Sequence, residues 1–209
     1  MDGRPGLREW KKQQTRQRIA DSALELFAHR GFDHVRVSEV ARAAGVSEAT
    51  AFNYFPTKED LIYSGMEQFE THLLEAVRRR PPGTTVLAAF RDYVLVPRGG
   101  LAVDDPASIT RIATVARIIA GSPALRTREQ QLIDRFTRTL AREIAKERRA
   151  QPSDLRPWVT ANALMGVHRA MTWQIQQQAL QGRNGRTIAR KVVAQGRRAF
   201  DTLEAGLHD

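Results

Sequence analysis

Apolar residues recur along this chain every three or four positions, and alternation bounded by turn residues is almost absent. The pattern predicts helices nearly throughout. Ile19, Ala23, Leu26 and Phe27 form one stripe, and the first helix ends at Gly31, a natural residue for the position after a helix. A second, short helix is expected from about Val37 to Ala44, burying Val37, Val40, Ala41 and Ala44, and Gly45 stops it. A third occupies about Glu48 to Phe55, where Pro56 bars a smooth continuation. A longer helix starts near Thr57, carries Leu61, Ile62, Met66, Phe69, Leu73 and Val77 on its apolar side, and ends at the breaker "RRRPPGTT". Five more are expected at about 84–96, 106–120, 124–150, 154–181 and 185–207, with "PRGGLAVDDP" and "QGRNGR" as loops. The expected class is all-α, about nine helices, with a three-helix N-terminal domain over residues 1–56 and a helical bundle over 57–209. No internal repeat or low-complexity tract is visible.

The third helix is short and polar for a core element, which makes its faces informative. At about 100° per residue, Ala51 and Phe55 point one way, toward the first two helices, while Ala49 and Asn53 point almost oppositely. A small side chain at Ala49 lets the backbone come close to a partner. Asn53 has the amide shape that pairs bidentately with adenine N6 and N7, and Phe52 suits a thymine methyl. Glu48 is unfavourable beside DNA unless it meets a base donor such as cytosine N4. Thr50 and Tyr54 stack on one flank and offer hydroxyls to phosphates, as does Ser47, which also stands where an N-cap belongs. Lys58 is expected at the start of the next helix, where its ammonium and the helix N-terminus both favour a phosphate. Gly45 supplies the positive φ that a steep helix–helix turn commonly needs. The spacing is that of a helix-turn-helix. By pattern alone, a small capping helix with a polar outer side fits as well.

Residues 15–66 resemble the N-terminal domain of TetR-family transcriptional regulators, through the run "TRQRIADSALELFAHRGFDHVRVSEVARAAGVSEATAFNYFPTKEDLI". Its marks are "A…LF…GF" in the first helix, "VSEVARAAGVS" across the turn and "FNYFPTKEDL" closing the third. The resemblance implies a homodimer on a double-stranded DNA operator, three DNA-binding helices, a linking fourth helix and an effector pocket in the C-terminal bundle. It implies phosphate contacts at Ser47, Thr50, Tyr54 and Lys58, and base contacts at Ala49, Phe52 and Asn53. Arg36 stands where the family often has a phosphate-touching, helix-capping threonine; it reaches a phosphate by charge instead. Phe52 and Tyr54 replace a frequent tyrosine and histidine, which alters the expected operator rather than the role.

Composition narrows the picture further. The chain has 209 residues, 42% apolar and 27% charged, an ordinary globular balance. No run approaches the roughly 18 apolar residues of a membrane span, and "MDGRPGLREWKKQQTRQR" lacks the apolar stretch of a secretory signal. With no cysteine, disulfides and thiolate metal sites are excluded, and the cytoplasm is the expected compartment. Net charge is +10, with 28 Arg against 5 Lys, but residues 1–60 hold only +1 of it and 61–209 hold +9. Overall charge is therefore weak support for a nucleic-acid partner. The basic arm "RPGLREWKKQQTRQR" reaches for the DNA backbone or a minor groove, or stays solvated; Trp10 is odd in such an arm.

In the C-terminal half, one helix offers Leu164, Val167, His168, Met171 and Ile175, and the last offers Ile188, Val192, Gln195, Ala199, Leu203 and Leu207. Such a pair lines a core or meets its symmetry mate in a four-helix interface. The candidate ligand-binding residues are Phe90, Tyr93, Arg117, His168, Met171 and Trp173, beside the apolar Val94, Ile112, Val115, Ile119, Phe136 and Leu164; ordinary core packing explains each of them too. The +9 charge favours an anionic effector, and the sequence also looks like the branch of the family with an acyl-CoA-like ligand-binding domain. Five scattered histidines and the lack of a phosphate loop or nucleophile elbow argue against an enzyme, a metal site or a cofactor. A helical small-molecule binder without DNA binding is the alternative that Arg36 and Glu48 keep open.

Overall fold

A computed structural model of the protein describes residues 6–207, and its described residues form ten helices with no strand. They are α1 (Leu7–Arg30), α2 (Val37–Ala43), α3 (Glu48–Tyr54), α4 (Asp60–Arg78), α5 (Val86–Val94), α6 (Gly100–Val103), α7 (Pro106–Gly121), α8 (Pro123–Arg148), α9 (Arg156–Leu180) and α10 (Gly185–Leu207). No described helix is long and apolar enough to cross a membrane. The chain divides into two compact units, residues 1–65 with 117–128, and residues 66–116 with 129–209.

In the first unit, α2 packs against both α1 and α3. Its interior is small: Ile19, Ala23 and Phe27 of α1, Phe32 and Val35 of the connecting turn, Val40 and Ala41 of α2, then Ala51 and Phe55, all 4% exposed or less. The Phe27 and Phe32 rings meet edge to face at 5.0 Å, a favoured arrangement of aromatic quadrupoles. The end of α7 and the start of α8 are tied in by polar contacts. Ser122 Oγ donates to Asp33 at 3.0 Å, Tyr63 Oη donates to the Leu125 carbonyl at 2.9 Å, and Arg128 meets Asp60 at 3.1 Å.

The second unit is built on a larger core that includes Leu73, Val77, Phe90, Phe136, Leu140, Leu164, Ile188 and Phe200. Within it α10 packs along α9. The breaker after α4 is held by one side chain: Arg80 donates to the carbonyls of Val77 at 2.7 Å and Thr84 at 2.8 Å, and pairs with Glu147 at 3.1 Å. Glu147 also accepts the Val86 N–H at 2.9 Å, while Thr85 caps α5 by accepting from Ala88 at 3.1 Å. A chain leaving a helix through Pro81 and Pro82 thus finds partners for its loose carbonyls.

Three expectations need correction. The basic arm is no separate arm in the described residues: α1 begins at Leu7, because residues 7–30 contain neither glycine nor proline and are mostly good helix formers; Arg4 lies outside the described residues. The expected loop "PRGGLAVDDP" contains the one-turn α6, closed by Asp104 in the left-handed region (φ 56°). Asp104 is kept there by accepting the Arg186 N–H of α10 at 2.8 Å, a contact between residues far apart in sequence. The fourth helix begins at Asp60, after a tight turn over 57–60 in which Thr57 N–H donates to Asp60 at 2.9 Å and Asp60 N–H donates to Thr57 Oγ1 at 3.3 Å.

Candidate nucleic-acid interface

The turn into α3 follows from local chemistry. Gly45 takes φ 65°, a conformation that costs a side-chain-bearing residue roughly 1–2 kcal/mol. Ser47 is the N-cap of α3: its Oγ accepts the Thr50 N–H at 3.1 Å and lies 2.7 Å from Thr50 Oγ1. These bonds satisfy one of the amides that a helix start leaves open.

Burial sorts the seven residues of α3 cleanly. Ala51 and the following Phe55 are 1% and 2% exposed, anchoring the inner side. Glu48, Ala49, Phe52 and Asn53 are exposed, with Phe52 at 41%. Thr50 and Tyr54 sit half-buried on the flank. The open side of α3 thus presents a phenyl ring beside an amide.

At the other end of α3 lies a residue that the sequence pattern did not single out. Arg16 of α1 donates from Nη1 to the Tyr54 carbonyl at 2.7 Å, and its Cζ stands 4.4 Å from the centre of the Phe55 ring. A cation at a helix C-terminus meets the negative end of the helix dipole and one of its unpaired carbonyls. In sequence Arg16 was one basic residue among several; only the contact across 38 positions distinguishes it.

Arg36 and Lys58 are placed differently from expectation. Arg36 occupies the N-cap of α2, but a guanidinium has no lone pair to offer, so the cap works in reverse: Glu39 accepts the Arg36 N–H at 2.8 Å. Glu39 also pairs with Arg30 at 2.6 Å, and these bonds hold its carboxyl below the usual range. The Arg36 side chain remains exposed. Lys58 precedes α4 instead of opening it, and its Nζ lies 4.2 Å from the Phe32 ring centre and 5.8 Å from that of Phe27. Burial lowers its pKa, opposed by the carboxylates of Asp33, Glu59 and Glu39. Its ammonium is therefore partly occupied by aromatic faces, and the start of α4 is already capped by Thr57, whose Oγ1 accepts the Asp60 N–H.

The expected ligand-binding residues are dispersed. Tyr93 and His168 come together in the second unit through Phe69, whose ring stacks on His168 at 5.1 Å and tilts against Tyr93 at 5.5 Å. Phe90 and Met171 are buried, Phe90 against Phe200 at 6.2 Å. Arg117 belongs to the other unit and is exposed. Trp173 does not join the interior: it is 58% exposed, because it falls on the outer side of α9 with Trp158. His168 keeps some accessible surface yet is densely surrounded, and that burial lowers its pKa to about 4, leaving the ring neutral at neutral pH. Among the described residues no group of three or more His, Asp or Glu is arranged to hold a metal ion.

Comparison with known proteins agrees with this geometry. Residues 19–63 match the model for bacterial regulatory proteins of the tetR family. The HTH-type transcriptional regulator TcmR of Streptomyces glaucescens is 35% identical over 86 residues, 41% of this chain and 38% of TcmR. The HTH-type transcriptional regulator LuxR of Vibrio harveyi is 49% identical over 47 residues, 22% of this chain and 23% of LuxR. The chain thus spans less than two thirds of the length of these curated relatives. Among solved structures, NalD, the secondary repressor of the MexAB-OprM multidrug efflux pump in Pseudomonas aeruginosa, shares the fold with a TM-score of 0.53 at 21% identity, over 90% of this chain and 97% of that one. With a helix-turn-helix whose outer side is exposed and a match over residues 19–63, the N-terminal region of the chain is similar to the DNA-binding domain of bacterial regulatory proteins of the tetR family, and the whole chain shares the all-helical fold of solved regulators.

Proposed function

We propose that the protein acts as a homodimeric repressor which sets two copies of α3 into the major groove of a palindromic operator and leaves it when a small molecule binds the second unit. The observation that supports this most directly is the split of α3 between an anchored side, Ala51 and Phe55, and an exposed side, Ala49, Phe52 and Asn53. On that reading Asn53 pairs with an adenine, Phe52 touches a thymine methyl and Ala49 permits the close approach. Ser47, Thr50, Tyr54, Arg36 and Lys58 attend the phosphates, which fix register without reading sequence. Such a regulator works in the cytoplasm, where the operator is.

The dimer reading is supported by α9. Trp158, Val159, Trp173 and Leu180 are 44%, 56%, 58% and 41% exposed, and at about 100° per residue they fall on one side of the helix. Two exposed tryptophans on one helix side suit an isologous contact with a second copy. The effector reading is supported by the aromatic group Phe69, Tyr93 and His168. Its charge is the finer question: the surplus of basic side chains after residue 60 favours an acyl-CoA or other apolar anion. Footprinting of purified protein on genomic DNA tests the whole proposal. It should return inverted half-sites spaced by about one helical turn or a small multiple; protection of single, unpaired sites would overturn the dimeric reading.

A further inference from the structure

The first two turns of α1 carry charge that the rest of the described chain does not answer. Residues 8–14 are all exposed, so this end of the helix stands clear of the core, and the first half-buried positions are Thr15 and Arg16. At about 100° per residue, Arg8, Lys11 and Lys12 share a stripe roughly 100° wide. Glu9 is the sole acidic residue between positions 6 and 20, and it lies outside that stripe. None of the three cations has an ion-pair partner among the described residues. Other basic residues of α1 are engaged, Arg16 with the Tyr54 carbonyl and Arg30 with Glu39. Like charges three and four residues apart on a helix repel each other, and an anion laid along the stripe relieves that repulsion.

The Arg16 contact shows which way the stripe faces. Arg16 donates to the Tyr54 carbonyl, at the C-terminal end of α3, at 2.7 Å. Lys12 stands one turn before Arg16 and Arg8 two turns before, rotated from it by about 40° and 80°. Ile19, rotated the same way by about 60°, is fully buried. The cations therefore occupy the side of α1 that is turned toward its own domain. They run on for about 12 Å from the point where α1 touches the end of α3, at about 1.5 Å per residue. A major groove is about 12 Å wide and walled by phosphates, so seating α3 in it brings this strut onto one wall. Trp10 is exposed on nearly the opposite side of α1. The stripe thus offers charge without an apolar body, which suits a nucleic-acid backbone and not a lipid surface.

We propose that Arg8, Lys11 and Lys12 form a helical phosphate clamp, which grips the DNA backbone just outside the stretch read by α3. This rests on the major-groove reading above and extends the contact to base pairs that the helix-turn-helix itself does not reach. Because the stripe is part of a helix, its three charges arrive already aligned, and little backbone freedom is lost on binding. Such contacts add affinity to any sequence alike.

Fluorescence anisotropy of the full-length protein on its footprinted operator, over a range of salt concentrations, tests the proposal. The wild type is compared with a triple variant, Arg8→Ala, Lys11→Ala and Lys12→Ala together. The slope of log affinity against log salt should become shallower by about two to three for each bound protomer, at about 0.9 per lost phosphate contact. Preference for the operator over a single-base variant of it should stay the same. Lys11→Arg with Lys12→Arg, which keeps both charges, should keep the wild-type slope. Trimming the duplex to the base pairs under α3 should take the same slope from the wild type, a readout that stands even where the triple variant folds poorly. An unchanged slope in the folded triple variant, or in the wild type on the trimmed duplex, overturns the clamp, while intact operator preference leaves the reading of α3 in place. Lost single-base discrimination in the triple variant also overturns it, since the stripe would then act through α3. If the wild type shows no operator preference at all, the reading of α3 falls, and the clamp that flanks it falls too.

Discussion

Removing the Arg16 guanidinium asks whether α3 is aimed from behind. Its Nη1 donates to the Tyr54 carbonyl at 2.7 Å and its Cζ stands 4.4 Å from the Phe55 ring centre. A hydrogen bond from a charged donor contributes about 1.5–3 kcal/mol net, and a cation on an accessible ring about 0.5–1. Arg16 is only half-buried, so the lower ends apply, and Arg16→Ala should cost about 2 kcal/mol. Arg16→Lys keeps a donor but not the guanidinium over the Phe55 ring and should recover about half. Denaturant unfolding followed by circular dichroism measures the stability. Mobility shifts measure function, on the cognate operator and on one with a single base pair changed in each half-site. With the α3 C-terminus loosened, discrimination between the two operators should fall about tenfold. The slope of log affinity against log salt should stay unchanged, since no phosphate contact is lost. If instead Arg16→Ala keeps its stability and flattens that slope by about one, Arg16 is a phosphate ligand and the positioning role is refuted.

Asn53→Ala, at an exposed position, should leave stability within about 0.5 kcal/mol while costing about 1–3 kcal/mol of discrimination at one base step per half-site; binding to operator variants would show this, and unchanged sequence preference would remove Asn53 from base reading. Gly45→Ala meets no neighbouring atom within 4 Å, so its expected loss of about 1–2 kcal/mol measures backbone strain at φ 65° alone. Two titrations should oppose each other between about pH 4.5 and 6.5. His168, lowered to about 4, contributes stability present above the unfolded imidazole value and lost as pH falls; Glu70, raised by burial to about 7, contributes stability present below the unfolded carboxyl value and lost as pH rises. Each amounts to at most about 3 kcal/mol, so the wild-type profile should be nearly flat there. Glu70→Gln should tilt it upward with pH and His168→Phe downward, as melting temperatures across the window would show; a tilt of the same sign in both refutes the pairing.

Much of the helical order was legible because it rests on local rules. Gly31, Gly45, Pro56 and the pair Pro81–Pro82 end their elements where backbone geometry requires. The two sides of α3 followed from rotation alone, since seven residues leave room for one anchored stripe. What escaped depended on distant partners. The one-turn α6 exists because Asp104 finds the Arg186 N–H of α10, and Arg16 matters because Tyr54 folds back onto it. Trp173 has the composition of a lining residue, and only its side of α9 shows otherwise. Glu70 did leave a trace: it interrupts the apolar stripe between Met66 and Leu73, a charged residue where the spacing calls for an aliphatic one. Lys58 was expected to open a helix, but the Thr57–Asp60 pair moved that start two residues on and turned its ammonium onto Phe32.

The narrowness of the inner side of α3 carries a consequence for divergence. Ala51 and Phe55, with the Arg16 bond to the Tyr54 carbonyl, fasten the helix to its support, so replacing Ala49, Phe52 or Asn53 changes little of what keeps the domain folded. On the proposed base-reading role, substitutions there retune the operator one position at a time, without the domain first having to regain stability.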